Sequence, residues 1–152
     1  MTWHMVSKRS VRNIQFALLI VSTGWGFDYL LPPTESDQIL NYIENRSVWP
    51  LPIWGGIMVF FGGVGLVCEV FISKDEIKYR KLWAGSWVAH TIFASVFLTL
   101  AYGAFVSAPL ANEGWAGWRT PVMWGFIAIL HTAFARRLDE SVEISDVEFP
   151  PK

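Results

Sequence analysis

Long apolar runs alternate with short polar segments along the chain, and this alternation dominates the sequence pattern. The runs cover residues 14–31, 51–73, 82–108 and 120–137. A helix rises about 1.5 Å per residue, so roughly 20 residues cross a hydrocarbon core of about 30 Å. The pattern therefore predicts an all-α fold, an integral membrane four-helix bundle. The charged linker at residues 74–81 is short and places the second and third helices in an antiparallel hairpin, and we expect the whole bundle to be antiparallel.

The last of these runs has the best-marked ends. Thr120 and Pro121 are typical of a helix N-cap and a first helical residue, and Arg119 directly precedes them. Arg136 and Arg137 follow the apolar residues. Tryptophans near the first end and positive residues at the second are typical of a span whose second end is cytoplasmic. We therefore expect this run to cross the membrane with Arg119 outside.

The basic residues are divided unequally between the two sides that a four-span layout creates. Of the 12 Lys and Arg residues, all except Arg46 and Arg119 fall on the side that holds both termini. The positive-inside rule then places both termini in the cytoplasm, with the protein in the cytoplasmic (inner) membrane. The expected organisation is a basic cytoplasmic N-terminus at 1–13, a transmembrane domain at 14–137 and an acidic cytoplasmic tail at 138–152.

The composition agrees with a membrane protein and weakens other classes. Hydrophobic residues make up 53% of the chain, which also carries nine Trp and 11 Phe, an unusual load for a soluble domain of 152 residues. The 12 basic and 13 acidic residues nearly balance, and no basic patch with interleaved aromatics argues for nucleic acid. Cys68 is the single cysteine, which excludes a disulfide within the chain. The expected partners are the lipid bilayer and either further copies of the chain or other membrane subunits.

Glycines at helical spacing characterise the second run. Gly55 and Gly62 are seven residues apart, as are Gly56 and Gly63, and a seven-residue step returns to the same helix face. Small residues allow close approach of a neighbouring helix, which is a main source of packing energy between helices in lipid. The sequence therefore predicts a helix-packing seam at these four glycines, and it favours association with other helices.

Ionisable residues interrupt the apolar runs at Asp28, Glu69, His90 and His131. The last three fall roughly 7–12 Å from the cytoplasmic boundary, on three different helices. Ionisable groups at such depth are costly in hydrocarbon and mark functional sites, so we expect an intramembrane polar cluster of Glu69, His90 and His131. Asp28, near the outer end of the first run, is expected to pair with Arg119 and to hold the first helix against the last.

The cluster has several possible roles. It would serve as a proton relay or a metal site, or His90 and His131 would ligate haem, or each group would simply bond across the bundle. No HxxxH or ExxH motif accompanies these residues, so we assign no metal and no cofactor. The sequence contains no nucleotide-binding loop, no convincing Ser/His/Asp arrangement and no paired catalytic carboxylates, and an enzyme is not expected.

The segment WAGWRTP at residues 115–121 resembles small four-span membrane proteins encoded by phages of actinobacteria. The basic start SKRSVRN, the segment GWGFDYLLPP and the glycine-rich second run add to this resemblance. It implies a holin-like protein that self-associates in the cytoplasmic membrane and makes lesions, or modulates a partner that does. The alternatives are an accessory or structural subunit of a larger membrane complex, and a small proton-coupled carrier or haem/redox protein using Glu69, His90 and His131.

Overall fold

The computed structural model describes residues 8–31, 50–74, 78–109 and 117–148. These residues form α-helices and no strand, which confirms the all-α expectation. A short 3-10 helix at Arg80–Leu82 precedes the third α-helix. The α-helices are α1 at Lys8–Tyr29, α2 at Leu51–Lys74, α3 at Trp83–Ser107 and α4 at Arg119–Glu148.

Helical structure extends beyond the predicted transmembrane boundaries at both ends of the chain. α1 begins within the segment assigned to the basic N-terminus, and α4 continues through the acidic segment to Glu148. The sequence from 138 to 148 contains neither glycine nor proline, so nothing in the backbone interrupts the last helix. Residues 1–7 and 149–152, which complete the two predicted terminal segments, lie outside the described residues.

Most buried residues of each helix follow one another at alternating steps of three and four. On α1 these are Gln15, Leu19, Ser22, Gly26 and Tyr29, with Thr23 buried beside them. On α2 they are Leu51, Gly55, Met58, Gly62, Gly65, Glu69 and Ile72, with Cys68 buried beside them. On α3 they include Ser86, His90, Phe93, Phe97, Leu100, Ala104 and Ser107, and on α4 Pro121, Trp124, Ala128, His131 and Ala135. Alternating steps of three and four keep one stripe of a helix against its neighbours, as in helical bundles.

Contacts between the stripes show that the helices are antiparallel. In each pair of consecutive helices, residues later in the first helix contact residues earlier in the second. Between α1 and α2, Gln15 faces Glu69 and Gly26 faces Gly55. Between α2 and α3, Gly62 faces Phe93 and Cys68 faces Gly85. Between α3 and α4, His90 faces Phe134, and Phe105 faces Trp118, the residue before α4. Tyr29 contacts Trp124 and Ser22 contacts His131, so α4 also runs antiparallel to α1.

The four predicted seam glycines divide into an inward pair and an outward pair. A Cβ atom on Gly55 would lie 2.6 Å from the carbonyl oxygen of Gly26, and one on Gly62 would collide with the Thr23 side chain. Gly56 and Gly63 have no atom within 4 Å of that position. Gly55 and Gly62 thus allow α1 to approach α2 closely, whereas Gly56 and Gly63 lie about 100° around α2, where a Cβ atom would meet no neighbour.

The two ends of the bundle have different cores. We call the end where α2 leads into α3 the inner end, and the opposite one the outer end. Aromatic rings fill the outer part, where Trp25 lies 5.5 Å from Phe97 and Tyr29 lies 6.3 Å from Trp124, measured between ring centroids. Buried polar side chains concentrate toward the inner end. Those toward the inner end are Gln15, Ser22, Thr23, Glu69, Ser86, His90 and His131, whereas Ser107 is buried near the outer end of α3.

The outside of the bundle is strongly apolar. Large hydrophobic side chains are exposed on all four helices, among them Phe27, Phe60, Leu98, Tyr102, Phe126 and Ile129. α2 and α3 are the two helices of the described chain that are long and apolar enough to cross a membrane, with 24 and 25 residues. A bundle with polar groups inside and apolar groups outside is suited to a lipid environment.

Candidate functional site

His90 of α3 and His131 of α4 form a directly bonded pair in the interior of the bundle. Both side chains are fully buried, at 0% exposure. Their Nδ1 atoms lie 2.7 Å apart, within hydrogen-bond distance, and their ring centroids are 4.9 Å apart. The sequence places them 41 residues apart, and the antiparallel packing of α3 and α4 brings them to the same level.

A serine from α1 continues this hydrogen-bonded chain. Ser22 Oγ lies 2.9 Å from His131 Nε2, and the Ser22 side chain is fully buried. The chain therefore runs from α1 through α4 to α3. The Ser22–His131 contact is thus a polar link between α1 and α4, which also contact each other through the aromatic side chains of Tyr29 and Trp124.

Aromatic rings hold the two imidazoles in place. Phe93 stacks on His131 with centroids 4.9 Å apart, and Phe97 lies nearly parallel to the same ring at 6.0 Å. Phe134 packs against His90 at 5.5 Å. These rings exclude bulk water and restrict rotation of both histidines, so the Nδ1–Nδ1 geometry is set by packing as well as by the hydrogen bond.

The bond between the two rings requires one donor and one acceptor. A neutral imidazole carries one N–H, so either His90 or His131 donates from Nδ1 while the other accepts there. If His131 donates, its Nε2 accepts from Ser22; if His90 donates, His131 Nε2–H donates to Ser22. In both cases His90 Nε2 is a buried atom with no hydrogen-bond partner in the described structure. The group can therefore exist in two tautomers that differ only in proton positions.

Glu69 belongs to a second polar group, nearer the inner end. Its Oε1 accepts a hydrogen bond from Gln15 Nε2 at 2.8 Å and another from Ser86 Oγ at 2.5 Å. Gln15 Nε2 also lies 3.4 Å from Ser86 Oγ. Only 4% of Glu69 is exposed. Donors from α1 and α3 thus meet the Glu69 carboxylate in a place closed to water.

The structure thus places the three predicted cluster residues in two adjacent groups. His90 and His131 bond to each other, and the bonds from Gln15 and Ser86 go to Glu69. Sequence reasoning missed three members of these groups: Gln15, Ser22 and Ser86. Each is a polar residue within or beside an apolar run, and Ser86 lies one helical turn before His90, which would have identified it.

Asp28 and Arg119, predicted to form an outer ion pair, are not joined in the structure. Both side chains are exposed, and no ion pair links them within the described residues. The physical reason is the rotation of α1. Tyr29, the next residue, is the one that turns toward α4 and packs against Trp124, so Asp28 points away from the bundle.

The distance between the histidine nitrogens fits proton sharing better than shared metal ligation. Two nitrogens bound to one tetrahedral metal at about 2.0–2.1 Å each would be about 3.3 Å apart, and axial haem ligands would be farther apart still. The Nδ1 atoms of His90 and His131 are 2.7 Å apart. The described residues also contain no group of three His, Cys, Asp or Glu side chains arranged to hold a metal ion.

Comparison with known proteins yields one relative of low identity. The chain is 29% identical over 117 residues to the purine-cytosine permease FCY2 of Saccharomyces cerevisiae. The match covers 77% of this chain but only 20% of the permease, so the chain spans about a fifth of that relative's length. No family model matches the sequence, and no solved structure matches it. Together with the two long apolar helices, the similarity to a permease marks the chain as a membrane protein.

Proposed function

We propose that this protein relays protons through the buried His90–His131 pair. We also propose that all four helices cross the cytoplasmic membrane, with both termini on the cytoplasmic side. The observation that carries the proposal is the 2.7 Å Nδ1–Nδ1 hydrogen bond at zero exposure, continued to Ser22 at 2.9 Å. An imidazole can accept a proton at one ring nitrogen and release one from the other, and hydrogen-bonded ionisable groups inside a membrane bundle are typical of proton pathways.

The relay moves a proton without leaving a charge behind. In one tautomer His90 donates from Nδ1 to His131, and His131 Nε2–H donates to Ser22. A proton delivered to His90 Nε2 lets the His90 Nδ1 proton pass to His131 Nδ1. The His131 Nε2 proton then passes to Ser22 Oγ while the Ser22 hydroxyl proton passes to a water molecule on the outer side of the pair, which carries it away as hydronium. One proton has entered at His90 and one has left at Ser22, and both rings are neutral again.

Carrier function is the class of activity that this relay supports best. A proton that changes place inside a bundle can drive movement of a second species, and the similarity to a stretch of a permease agrees with that class. The apolar exterior and the glycine-mediated contact of α1 with α2 support the four-span arrangement. The proposed role requires no covalent chemistry and no bound cofactor.

Proton uptake by liposomes tests the relay. Liposomes that contain the purified protein and a trapped pH-sensitive dye are placed in a more acidic medium, with potassium and valinomycin for charge balance. We expect internal acidification at least tenfold faster than in liposomes with His131→Phe. The matched control is Thr132→Val, since Thr132 is an exposed neighbour that bonds only its own helix at Ala128 O. Equal rates for the wild-type protein and His131→Phe would overturn the proposal.

Cysteine labelling tests the orientation. In a Cys68→Ala background, Lys81→Cys and Arg119→Cys each introduce one thiol at an exposed position near opposite ends of the bundle. A maleimide that cannot cross membranes should label Arg119→Cys on intact cells and should label Lys81→Cys only after lysis. The opposite pattern would overturn the orientation, and labelling of both on intact cells would overturn the four-span arrangement.

A second candidate function, holin-like self-association, is favoured by the outward glycines. Gly56 and Gly63 lie in open space on one face of α2, seven residues apart, and the same spacing reaches the exposed Val70. A second copy packing on this face would gain the close helix contact that glycine permits. Such assemblies would permeabilise the membrane.

Crosslinking during induced expression tests the second candidate. We expect crosslinked oligomers and entry of propidium iodide for the wild-type chain, and loss of both when Gly56 and Gly63 are changed to leucine. Val67→Leu is the control, because Val67 is exposed on the same helix without being a glycine. Monomeric protein with no dye entry would contradict self-association and leave the relay as the proposed function.

A further inference from the structure

The two buried polar groups lie one helical turn apart along α3. Ser86 belongs to the group around Glu69, and His90 belongs to the histidine pair. Four residues on a helix correspond to a rise of about 6 Å, and residues at this spacing lie on one face. Both side chains are fully buried on that face. The step from the Glu69 group to the histidine pair is therefore short, and it lies entirely inside the bundle.

His90 Nε2 is the atom of the histidine pair that is left without a hydrogen-bond partner in the described structure. His90 uses Nδ1 to bond His131, whereas its Nε2 is buried and has no hydrogen-bond partner among the described residues. Side chains on a helix lean toward its N-terminus, which for His90 is the direction of Ser86. Buried polar atoms are nearly always bonded, and where no protein group is available an internal water molecule serves.

We propose that one internal water molecule is bound between His90 Nε2 and the Ser86–Glu69 pair. We propose further that Glu69 passes protons to the histidine pair through this water. A water molecule that makes two hydrogen bonds of about 2.8 Å at a near-tetrahedral angle bridges polar atoms about 4.5 Å apart, which suits side chains one helical turn apart on the same face. Ser86 Oγ, the Glu69 carboxylate and His90 Nε2 provide the polar partners that a buried water needs.

The water makes a continuous path from the inner end to Ser22, and the transfer balances. Glu69 takes one proton from the inner side and becomes neutral. It passes this proton to the water, which gives one of its own to His90 Nε2. The His90 Nδ1 proton passes to His131, the His131 Nε2 proton passes to Ser22 Oγ, and the Ser22 hydroxyl proton passes to a water molecule on the outer side of the pair. Glu69 is again a carboxylate, the water is intact, and nothing has been oxidised or reduced. The role of Glu69 rests on the proposed relay, but the water site does not.

Solid-state NMR of protein labelled with ¹⁵N-histidine in lipid bilayers tests the water site directly. We expect magnetisation transfer from water to His90 Nε2, assigned by its loss in His90→Phe. Ser86→Val should remove most of this transfer, because it replaces a polar partner with a methyl group. Ser95→Val is the matched control, since Ser95 lies on the exposed face of α3 and bonds only its own helix at Thr91 O. Absence of the transfer in the wild-type protein would overturn the water site.

The liposome assay tests the role of Glu69. Glu69→Gln keeps the shape and the ability to accept hydrogen bonds but cannot deliver a carboxyl proton, so we expect proton uptake to fall at least tenfold. The water signal at His90 should persist in this variant, which also shows that the bundle is folded. Wild-type uptake in Glu69→Gln, alongside lost uptake in His131→Phe, would overturn the role of Glu69 and leave the relay standing. Wild-type uptake in both variants would overturn the relay and the role of Glu69 together, and the NMR result would still decide the water site.

Discussion

The Nδ1 atoms of His90 and His131 face each other at 2.7 Å, so the two rings must carry complementary tautomers. Neither ring can be replaced without leaving the other with a buried nitrogen that has lost its partner. The stability of the bundle and the proposed proton relay therefore depend on the same pair, and stability and proton uptake can be measured separately.

Replacing the histidines singly and together should give non-additive losses of stability. His90→Phe or His131→Phe leaves one buried Nδ1 unbonded, which costs about 1–3 kcal/mol. The double variant removes both groups, and phenylalanine suits the surrounding rings. We expect the double variant to lose clearly less stability than the two single variants combined, by a coupling of about 0.5–3 kcal/mol. Denaturant unfolding in detergent measures this difference, and additive losses would argue against a bonded pair.

Removing the Ser22 hydroxyl should weaken the link between α1 and α4. Ser22→Ala leaves His131 Nε2 without its partner, and we expect a loss of about 1–2 kcal/mol in the free energy of unfolding. The ¹⁵N shift of His131 Nε2 should move as well. Thr99→Ala is the comparison, since Thr99 is exposed and bonds its own helix at Ser95 O. A Ser22→Ala variant as stable as Thr99→Ala, with an unchanged His131 shift, would exclude this bond.

Adjacent glycines on α2 should respond oppositely to alanine. Gly62→Ala would place a methyl group into the Thr23 side chain and within 3.1 Å of Phe93, and we expect a loss of about 1–3 kcal/mol. Gly63→Ala meets nothing within 4 Å and should be neutral or stabilising, because alanine favours a helix by up to about 1 kcal/mol over glycine. Unfolding of the two variants in mixed micelles gives the comparison. Equal losses would mean that α2 has a different rotation.

Two neighbouring residues of α3 allow a buried position to be compared with an exposed one. Phe97 is fully buried and Leu98 is 63% exposed. Phe97→Ala should cost about 3–5 kcal/mol through loss of contacts and the cavity that remains, whereas Leu98→Ala should change stability by less than about 1 kcal/mol. Thermal unfolding in one detergent measures both variants. A larger loss of stability for Leu98→Ala than for Phe97→Ala would mean that the face of α3 that carries Leu98, and not the face that carries Phe97, is buried.

The sequence predicted the helices well because the length of an apolar run determines how much helix it can form. It predicted side-chain partners less well, because these depend on how each helix is rotated. Gly55 and Gly56 are adjacent glycines in the same apolar run. A helix turns about 100° per residue, so only Gly55 lies against α1. The same rotation places Tyr29 rather than Asp28 opposite Trp124.

The histidines show the part of the site that was within reach of sequence reasoning. Depth could be counted from the charged ends of the runs, and it put His90, His131 and Glu69 near one level. Which of these side chains contact one another could not be deduced from the sequence, because the contacts depend on the relative rotation of three helices. The alternating spacing of three and four, applied to every helix at once, would have placed Ser22 and Ser86 on the inward stripes beside the histidines.

The separation of a polar inner part from an aromatic outer part has an electrical consequence. In the proposed orientation Ser22 lies about 12 Å past Ile14 in a hydrocarbon core of about 30 Å, so a proton there has crossed roughly two-fifths of the field. Carrying one charge across the whole field is worth about 2.3 kcal/mol per 100 mV, and this partial crossing about 0.9 kcal/mol. A cell at rest would thus oppose proton loading from the inner side about fivefold per 100 mV, and depolarisation would relieve that opposition. In the proposed orientation, the layered core would make proton loading of the relay depend on the membrane voltage.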